Sequence, residues 1–377
     1  MKSVLSIVLN EFTHDNRVLN EAISLRKAGY NLSVIALHTE PLKEWDEVGG
    51  VPVHRIKLSS RNLKSFKVIK HLEYMYRTFR FYRKKNIDII HCHDLTALPL
   101  GYLFKKFVTR KTKVVYDAHE YETEMNGLSG IRQVMYRILE RYLIRFADKV
   151  ITVSERIGKE YVRLYTIPEP VIILNCPWKR ESTERFDLFR QEFGIRQEQT
   201  IFLYQGILAK GRGVEILLQS FSQRDNNENV IVFMGFGPMD QDIIEVSKKS
   251  DKVFFHQAVA PPRFLDYTAS ADFGISFIED ISLSDRYCLP NKLFEYLNAG
   301  VPVICSNLPE MRKFVEDHGV GFVAEENTAE GLTGAVNTTL RLEKPLLREN
   351  VRIAADKFCW ETQEIVLKEL YSDMIGL

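Results

Sequence analysis

A short apolar run followed by an amphipathic helical stretch, repeated along nearly the whole chain, is the feature that most restricts the fold. Residues 4–9 form an apolar run, the pattern of a strand covered on both faces. From Asn16 onward, Val18, Leu19, Ala22, Ile23 and Leu25 share a helical face. Gly29 ends that helix in the left-handed conformation glycine adopts at little cost. Further strands are predicted at 32–37, 51–58, 87–92, 113–117, 150–153 and 171–174, with helices between most of them. Such alternation means a parallel sheet with right-handed crossovers.

The rhythm pauses at 175–193, where a proline and many charges interrupt the periodicity. It resumes with strands at 201–204, 230–234, 253–257, 273–277 and 301–305, and 360–375 reads as a closing amphipathic helix. A chain of 377 residues accommodates two domains at roughly 150 residues each. The expected fold is α/β: two doubly wound Rossmann-like domains facing a central cleft, with boundaries at 1–178, 179–357 and a final helix at 358–377. A single large sheet fits the pause and the length less well. In doubly wound sheets ligands bind beyond the carboxyl ends of the strands, so chemistry is sought there.

Composition excludes several classes. Five widely spaced cysteines without a CxxC argue against a disulfide framework or zinc knuckle and for a reducing compartment. A net charge of +1 gives the whole molecule no affinity for polyanions. The apolar start is too short for a signal-peptide core, and no stretch approaches the roughly 18 apolar residues of a membrane span. A cytoplasmic protein, or one peripheral on the inner face of a membrane, is expected.

The segment after the first strand, NEFTHDNRV, contains no glycine, which argues against a dinucleotide fingerprint. Asp15, Asn16 and Arg17 form a polar entry to a helix, where Asp15 or Asn16 serves as a cap alone or also meets a ligand. In IDIIHCHD, His91 and His93 share one strand face and Asp94 follows. A metal needs a third ligand, and none stands at matching spacing, so no metal is expected. KVVYDAHEYETE ends a strand with Asp117, His119 and Glu120, placing His119 where strand becomes loop.

LYQGILAKGRG opens the second domain with Gly206 and Gly211. It departs from a P-loop because Arg212 and Gly213 stand in place of the lysine and the hydroxyl residue. What remains is an anion site with Arg212 as a bidentate phosphate partner. Gly235 and Gly237 of MGFGP again permit close backbone approach. In LPNKLFEYLNAGVPVI a helix starts near Asn291, and Lys292 and Glu295 lie on one face. The Leu293 and Phe294 amides are expected to be free donors facing an anion, and Glu295 suits a ribose diol. A surface Lys–Glu pair would leave the same pattern.

The ordered set IDIIHCHDLTALPLG, KVVYDAHEYE, FADKVITVSE, VIILNCP, LYQGILAKGRGVEILLQSF, MGFGP, ADFGISFI and LPNKLFEYLNAGVPVI resembles the retaining glycosyltransferases of family four, which have the GT-B fold. The resemblance covers nearly the whole chain. It implies that the first domain binds the acceptor, that the second binds the nucleotide sugar, and that the last helix returns to the first domain. By position, Glu295 matches the family's ribose-binding glutamate, Arg212 its diphosphate-binding basic residue, and His119 the histidine at the donor sugar. The implied chemistry is hexosyl transfer from a UDP- or GDP-sugar with retained configuration, no protein nucleophile, no cofactor and no metal. Two positions depart from the pattern. Ile207 replaces the basic residue after the strand glycine, which shifts the diphosphate charge to Lys292. Tyr287 replaces the first glutamate, which leaves Asn291 as the sugar contact. A nucleotide-sugar epimerase and a non-catalytic nucleotide-sugar-binding protein are the alternatives.

Residues 61–85 hold nine Lys/Arg, one acid and six aromatics. With Phe66, Ile69, Leu72, Tyr76 and Phe79 at helical spacing, the stretch fits an interfacial helix on an anionic membrane surface. A crossover helix with solvated charges explains the apolar stripe but not the charge imbalance. No nucleic-acid-binding module is present.

Overall fold

The computed structural model describes residues 1–62, 67–180, 186–222, 228–260, 263–339 and 344–376. Lys64 and Phe66 of the basic stretch therefore lie outside the described residues. Contacts divide the chain into two compact units, Met1–Leu174 with Gln363–Leu377, and Asn175–Thr362.

In the first unit, β1 (Ser3–Ile7), β2 (Asn31–Leu37), β3 (Trp45–Val48), β4 (Val51–Ile56), β5 (Ile89–His93), β6 (Lys113–Ala118), β7 (Lys149–Thr152) and β8 (Val171–Ile172) make one sheet in the order β3-β4-β2-β1-β5-β6-β7-β8. All neighbours are parallel except β3 and β4. The chain builds outward from β1 through β2 and then crosses back to β5, so the topological switch point lies between β1 and β5. Their register pairs Ile7 with Cys92.

The second unit repeats the plan. Strands β9 (Thr200–Ile207), β10 (Asn229–Phe236), β11 (Val253–Gln257), β12 (Phe273–Ser276), β13 (Val303–Cys305) and β14 (Gly321–Val323) pair in parallel in the order β11-β10-β9-β12-β13-β14. The switch point falls between β9 and β12. Fully buried Phe202, Tyr204, Phe233, Ile275 and Phe277 belong to the core around this sheet. Their near-continuous apolar runs reflect strands covered on both faces.

Three elements differ from the sequence expectation. β3 is an antiparallel edge strand joined to β4 through Gly49 and Gly50, both at positive φ, with Val48 opposite Val51. A Gly-Gly pair between two β-prone runs is a two-residue hairpin signal, and EVGGVPV carries it. β14 has three residues, too few to show a period. The helix Leu188–Phe193 lies inside the stretch read as linker. The closing helix Trp360–Ile375 is tied into the first unit. Gln363 Oε1 accepts from the Leu174 amide at 2.9 Å, and the Tyr371 hydroxyl bonds His91 Nδ1 at 2.9 Å. No helix among the described residues is long and apolar enough to cross a membrane.

Candidate functional site

At the first switch point, register places His93 opposite Asp117, and His93 Nε2 meets Ser6 Oγ of β1 at 2.9 Å. Asp15 caps the helix Asn16–Lys27 by accepting from the Val18 amide at 3.2 Å, and Asn16 is exposed. Arg17 is not part of an open polar loop. As the second residue of that helix it is 3% exposed and grips Asp117 through two bonds of 3.0 and 2.8 Å, with a third to the Ile173 carbonyl at 2.9 Å. A guanidinium matches a carboxylate in this two-point way.

His119, 19% exposed, sits between two acids: Nε2 lies 3.1 Å from Asp117 and Nδ1 3.5 Å from Asp94. Burial opposes its charge, but Asp94 and Asp117 outweigh burial and raise its pKa to about 10. His119 is therefore an imidazolium near neutrality. Its Nε2 is also 3.1 Å from His93 Nδ1. The consistent assignment has His119 donating from Nε2, and His93 accepting at Nδ1 and donating to Ser6 from Nε2. Burial pushes His93 and His91 below the ordinary histidine range. Asp94 adopts φ 63°, a left-handed conformation that a short polar side chain tolerates and that tends to cluster at functional sites.

The fold supplies ligand-type neighbours that spacing did not reveal. Glu21 and Asp117 bring ligand atoms within 4.8 Å of those of His91 and His93, so the expectation that these histidines lack further partners is corrected. Both Asp117 oxygens are nevertheless held by Arg17, and Arg17 Nε lies 3.3 Å from Glu21. A divalent cation here would face that fixed positive charge. Burial and the adjacent Asp117 push Glu21 well above the ordinary carboxylate range, against the pull of Arg17. Glu120 is exposed. Glu122, two residues on, is buried and hydrogen-bonded to Asp94, and burial together with the Asp94 charge raises it well above the ordinary range.

At the second switch point glycines bring the backbone close. Gly206 and Gly235 pair across β9 and β10, and a Cβ on Gly235 would lie 1.9 Å from the Gly206 carbonyl. Gly237 sits at φ 157° with the Leu208 carbonyl 2.4 Å from where its Cβ would be. Gly211 turns at φ 80°. From the helix Asn291–Asn298, Lys292 reaches back over the Tyr204 ring with Nζ 3.8 Å from the centroid. Burial, with the nearby Arg212 charge, lowers its pKa to about 7. Glu295 accepts from Gln205 Nε2, and Gln205 Oε1 in turn accepts from Thr268 at 2.8 Å. Burial raises Glu295 above the usual carboxylate range.

Arg212 is 40% exposed and lies 3.6 Å from Asp285. This carboxylate was missed from sequence. It stands two residues before Tyr287 and is fixed by Ser282, whose hydroxyl donates to it at 2.6 Å. The pattern SLSD is a local cap signal. Gln205 was also missed, because a glutamine inside a strand carries no motif. Asn291 is exposed at the helix start, while the Leu293 and Phe294 side chains are fully buried. One expectation is corrected here. The Leu293 amide bonds the Pro290 carbonyl at 3.0 Å, a tight first turn that removes it from the set of free donors. Ile207 is 54% exposed.

Residues 15–177 match Glycosyltransferase Family 4, and residues 185–358 match Glycosyl transferases group 1. The chain belongs to the group 1 glycosyltransferases. Among curated relatives, a chitobiosyldiphosphodolichol beta-mannosyltransferase of Candida albicans is 23% identical over 360 residues, covering 87% of this chain and 78% of that protein. An uncharacterized glycosyltransferase of Methanocaldococcus jannaschii is 21% identical over 378 residues, covering 94% and 93%. The solved sucrose-phosphate synthase of Thermosynechococcus elongatus superposes with a TM-score of 0.82 at 16% identity, over 100% of both chains. Anabaena HepE in complex with UDP-glucose gives 0.74 at 16% identity, over 99% and 100%. The glycosyltransferase fold of both units is thus matched along their whole length.

Proposed function

We propose that this glycosyltransferase moves a hexosyl group from a nucleoside-diphosphate sugar to a glycan or lipid-linked acceptor, with retention of configuration and without a metal. One observation carries the reading: a glycine-lined switch point at which Lys292, Arg212 and Glu295 converge. Glu295 suits the ribose diol. Arg212 and Lys292 offer positive charge to the leaving diphosphate, the kind of preorganised stabilisation that dominates such transfers. Asn291 takes the donor sugar, and Gly206, Gly211, Gly235 and Gly237 let phosphate oxygens approach the backbone.

HepE holding UDP-glucose supports a UDP-sugar donor. The name of the Candida relative supports a hexosyl group and a lipid-linked acceptor. His119 is assigned to the donor sugar. As an imidazolium it offers the reaction positive charge rather than a general base, which is compatible with front-face transfer. Arg17, fixed against Asp117, supports the metal-independent reading. The basic helix Lys67–Tyr82 supports a position at the cytoplasmic face of a membrane.

A thermal-shift series with UDP-, GDP- and ADP-sugars tests the donor site, since a ligand at 100 times its Kd stabilises by about 2.7 kcal/mol. NMR of the transferred sugar then reads the anomer. No shift with any nucleotide sugar overturns the site, and an inverted product overturns retention.

A further inference from the structure

The helix Gly130–Leu143 turns an apolar face to solvent. Ile131, Met135 and Ile138 are 78%, 63% and 64% exposed, too much for a core-packed stripe. Its one acid, Glu140, is buried and accepts hydrogen bonds from Tyr116, Tyr161 and Tyr165. The charges left on its outer side are Arg132, Arg137 and Arg141, of which Arg137 pairs with Glu124. The helix Lys67–Tyr82 behaves alike, exposing Val68, Leu72 and Tyr76. Both helices pack on the helix Asp94–Phe107.

A groove of about 780 Å³ runs between them, walled by Val68, Met135, Leu139 and Leu95. Among the described residues four cations, Arg61, Lys67, Lys70 and Arg132, line it, and the acid on its lining, Glu11, accepts from Thr39 at 3.0 Å. Its inner end reaches Leu37, the last residue of β2, and Leu95, the residue after Asp94. Asp94 in turn faces His119. The groove thus connects the polar strand ends of the first unit with two solvent-facing apolar rims.

We propose that this groove holds the hydrocarbon chain of a phosphate-bearing lipid acceptor, with the exposed residues of the two helices resting on an anionic bilayer. The proposal rests on the transferase reading and adds the acceptor's class and place. A bare glycan would leave the apolar walls and rims wet, whereas a lipid chain covers them. An excess of cations matches a phosphate head and an anionic leaflet.

The test uses the full chain and decyl phosphate below its micellar concentration, with inorganic phosphate as comparison, by calorimetry. Decyl phosphate should bind at least tenfold tighter than inorganic phosphate. Leu139→Glu should weaken it at least tenfold, and Arg132→Gln with Lys67→Gln several-fold, with UDP affinity unchanged as the check on folding. In flotation with phosphatidylglycerol vesicles, Ile131→Glu with Ile138→Glu should release the protein. Equal binding of the two phosphates, or insensitivity to Leu139→Glu, overturns the groove. A stable dimer that these rim substitutions dissociate also overturns the proposal, since the face then belongs to a second copy. Chain binding without transfer to any lipid acceptor sinks the transferase reading and leaves the groove standing. Transfer to a soluble glycan without chain binding does the reverse.

Discussion

At the ends of β5 and β6 the charges hold one another. Arg17 and Asp117 are joined by two hydrogen bonds with side chains 2% and 0% exposed, and His119 is wedged between two carboxylates. At the ends of β9 and β10 the basic groups are held loosely. Arg212 is 40% exposed and 3.6 Å from Asp285, and Lys292 lies over an aromatic ring with its proton affinity depressed. The first arrangement is a fixed charge, already compensated. The second is costly to leave alone and becomes favourable when an anion arrives. Two sheets with the same winding order can thus carry opposite kinds of site, one rigid and one receptive.

Four experiments break or sharpen this contrast. Arg17→Ala removes the two-point guanidinium contact from buried Asp117 and leaves it only its histidine neighbours, which should cost about 3–5 kcal/mol of stability. Urea unfolding of this variant beside Arg212→Ala measures the difference, and equal losses would erase it. Arg212→Ala and Lys292→Ala should each lower turnover on the order of 100-fold while leaving stability nearly intact. Near-normal rates for both would move the phosphate site elsewhere. Glu295→Ala should weaken nucleoside diphosphate binding about tenfold, as expected when a hydrogen bond to a charged group worth about 1.5–3 kcal/mol is lost. His119→Ala should leave that affinity unchanged and lower transfer instead, and calorimetry with the bare nucleotide separates the two.

The last contrast is in protons. His119 is raised from 6.5 to about 10 on folding, so its stabilisation is full below about pH 6.5 and is lost as pH rises through about 10. Lys292 is lowered from 10.5 to about 7, so its burial penalty is relieved as pH rises from about 7 toward 10.5. The two sites therefore push stability in opposite directions above neutrality. A bound diphosphate should restore the Lys292 proton. Calorimetry at pH 8 in buffers of different ionisation heat should show fractional proton uptake that Lys292→Met abolishes. Uptake that persists in the variant assigns the proton to another group.

Much of this was legible in the chain. The alternation of apolar runs with helical stretches specified two parallel sheets, because strands covered on both faces must be apolar throughout and each needs a crossover to return. Glycines at 206, 211, 235 and 237 marked the second switch point: the first two turn at positive φ, and at 235 and 237 the neighbouring backbone is too close to admit a side chain. Other features were not legible, because they join residues far apart in sequence. Arg17 read as an entry-loop residue until helix packing turned it onto Asp117, a hundred positions on. Glu21 and Asp117 came to the two histidines from separate segments. Asp285 supplied a carboxylate where position 287 has Tyr, and Gly130–Leu143 showed no exposed face until its neighbours were in place.

The sequence by itself determined the number of domains, the winding of each sheet and the turns where backbone approaches closely, since these follow from local periodicity and backbone sterics. Only the tertiary structure decided which charges are paired, which are neutral and which wait. A proton's free energy depends on burial and on carboxylates or guanidinium groups a few ångströms away, and folding alone sets those distances.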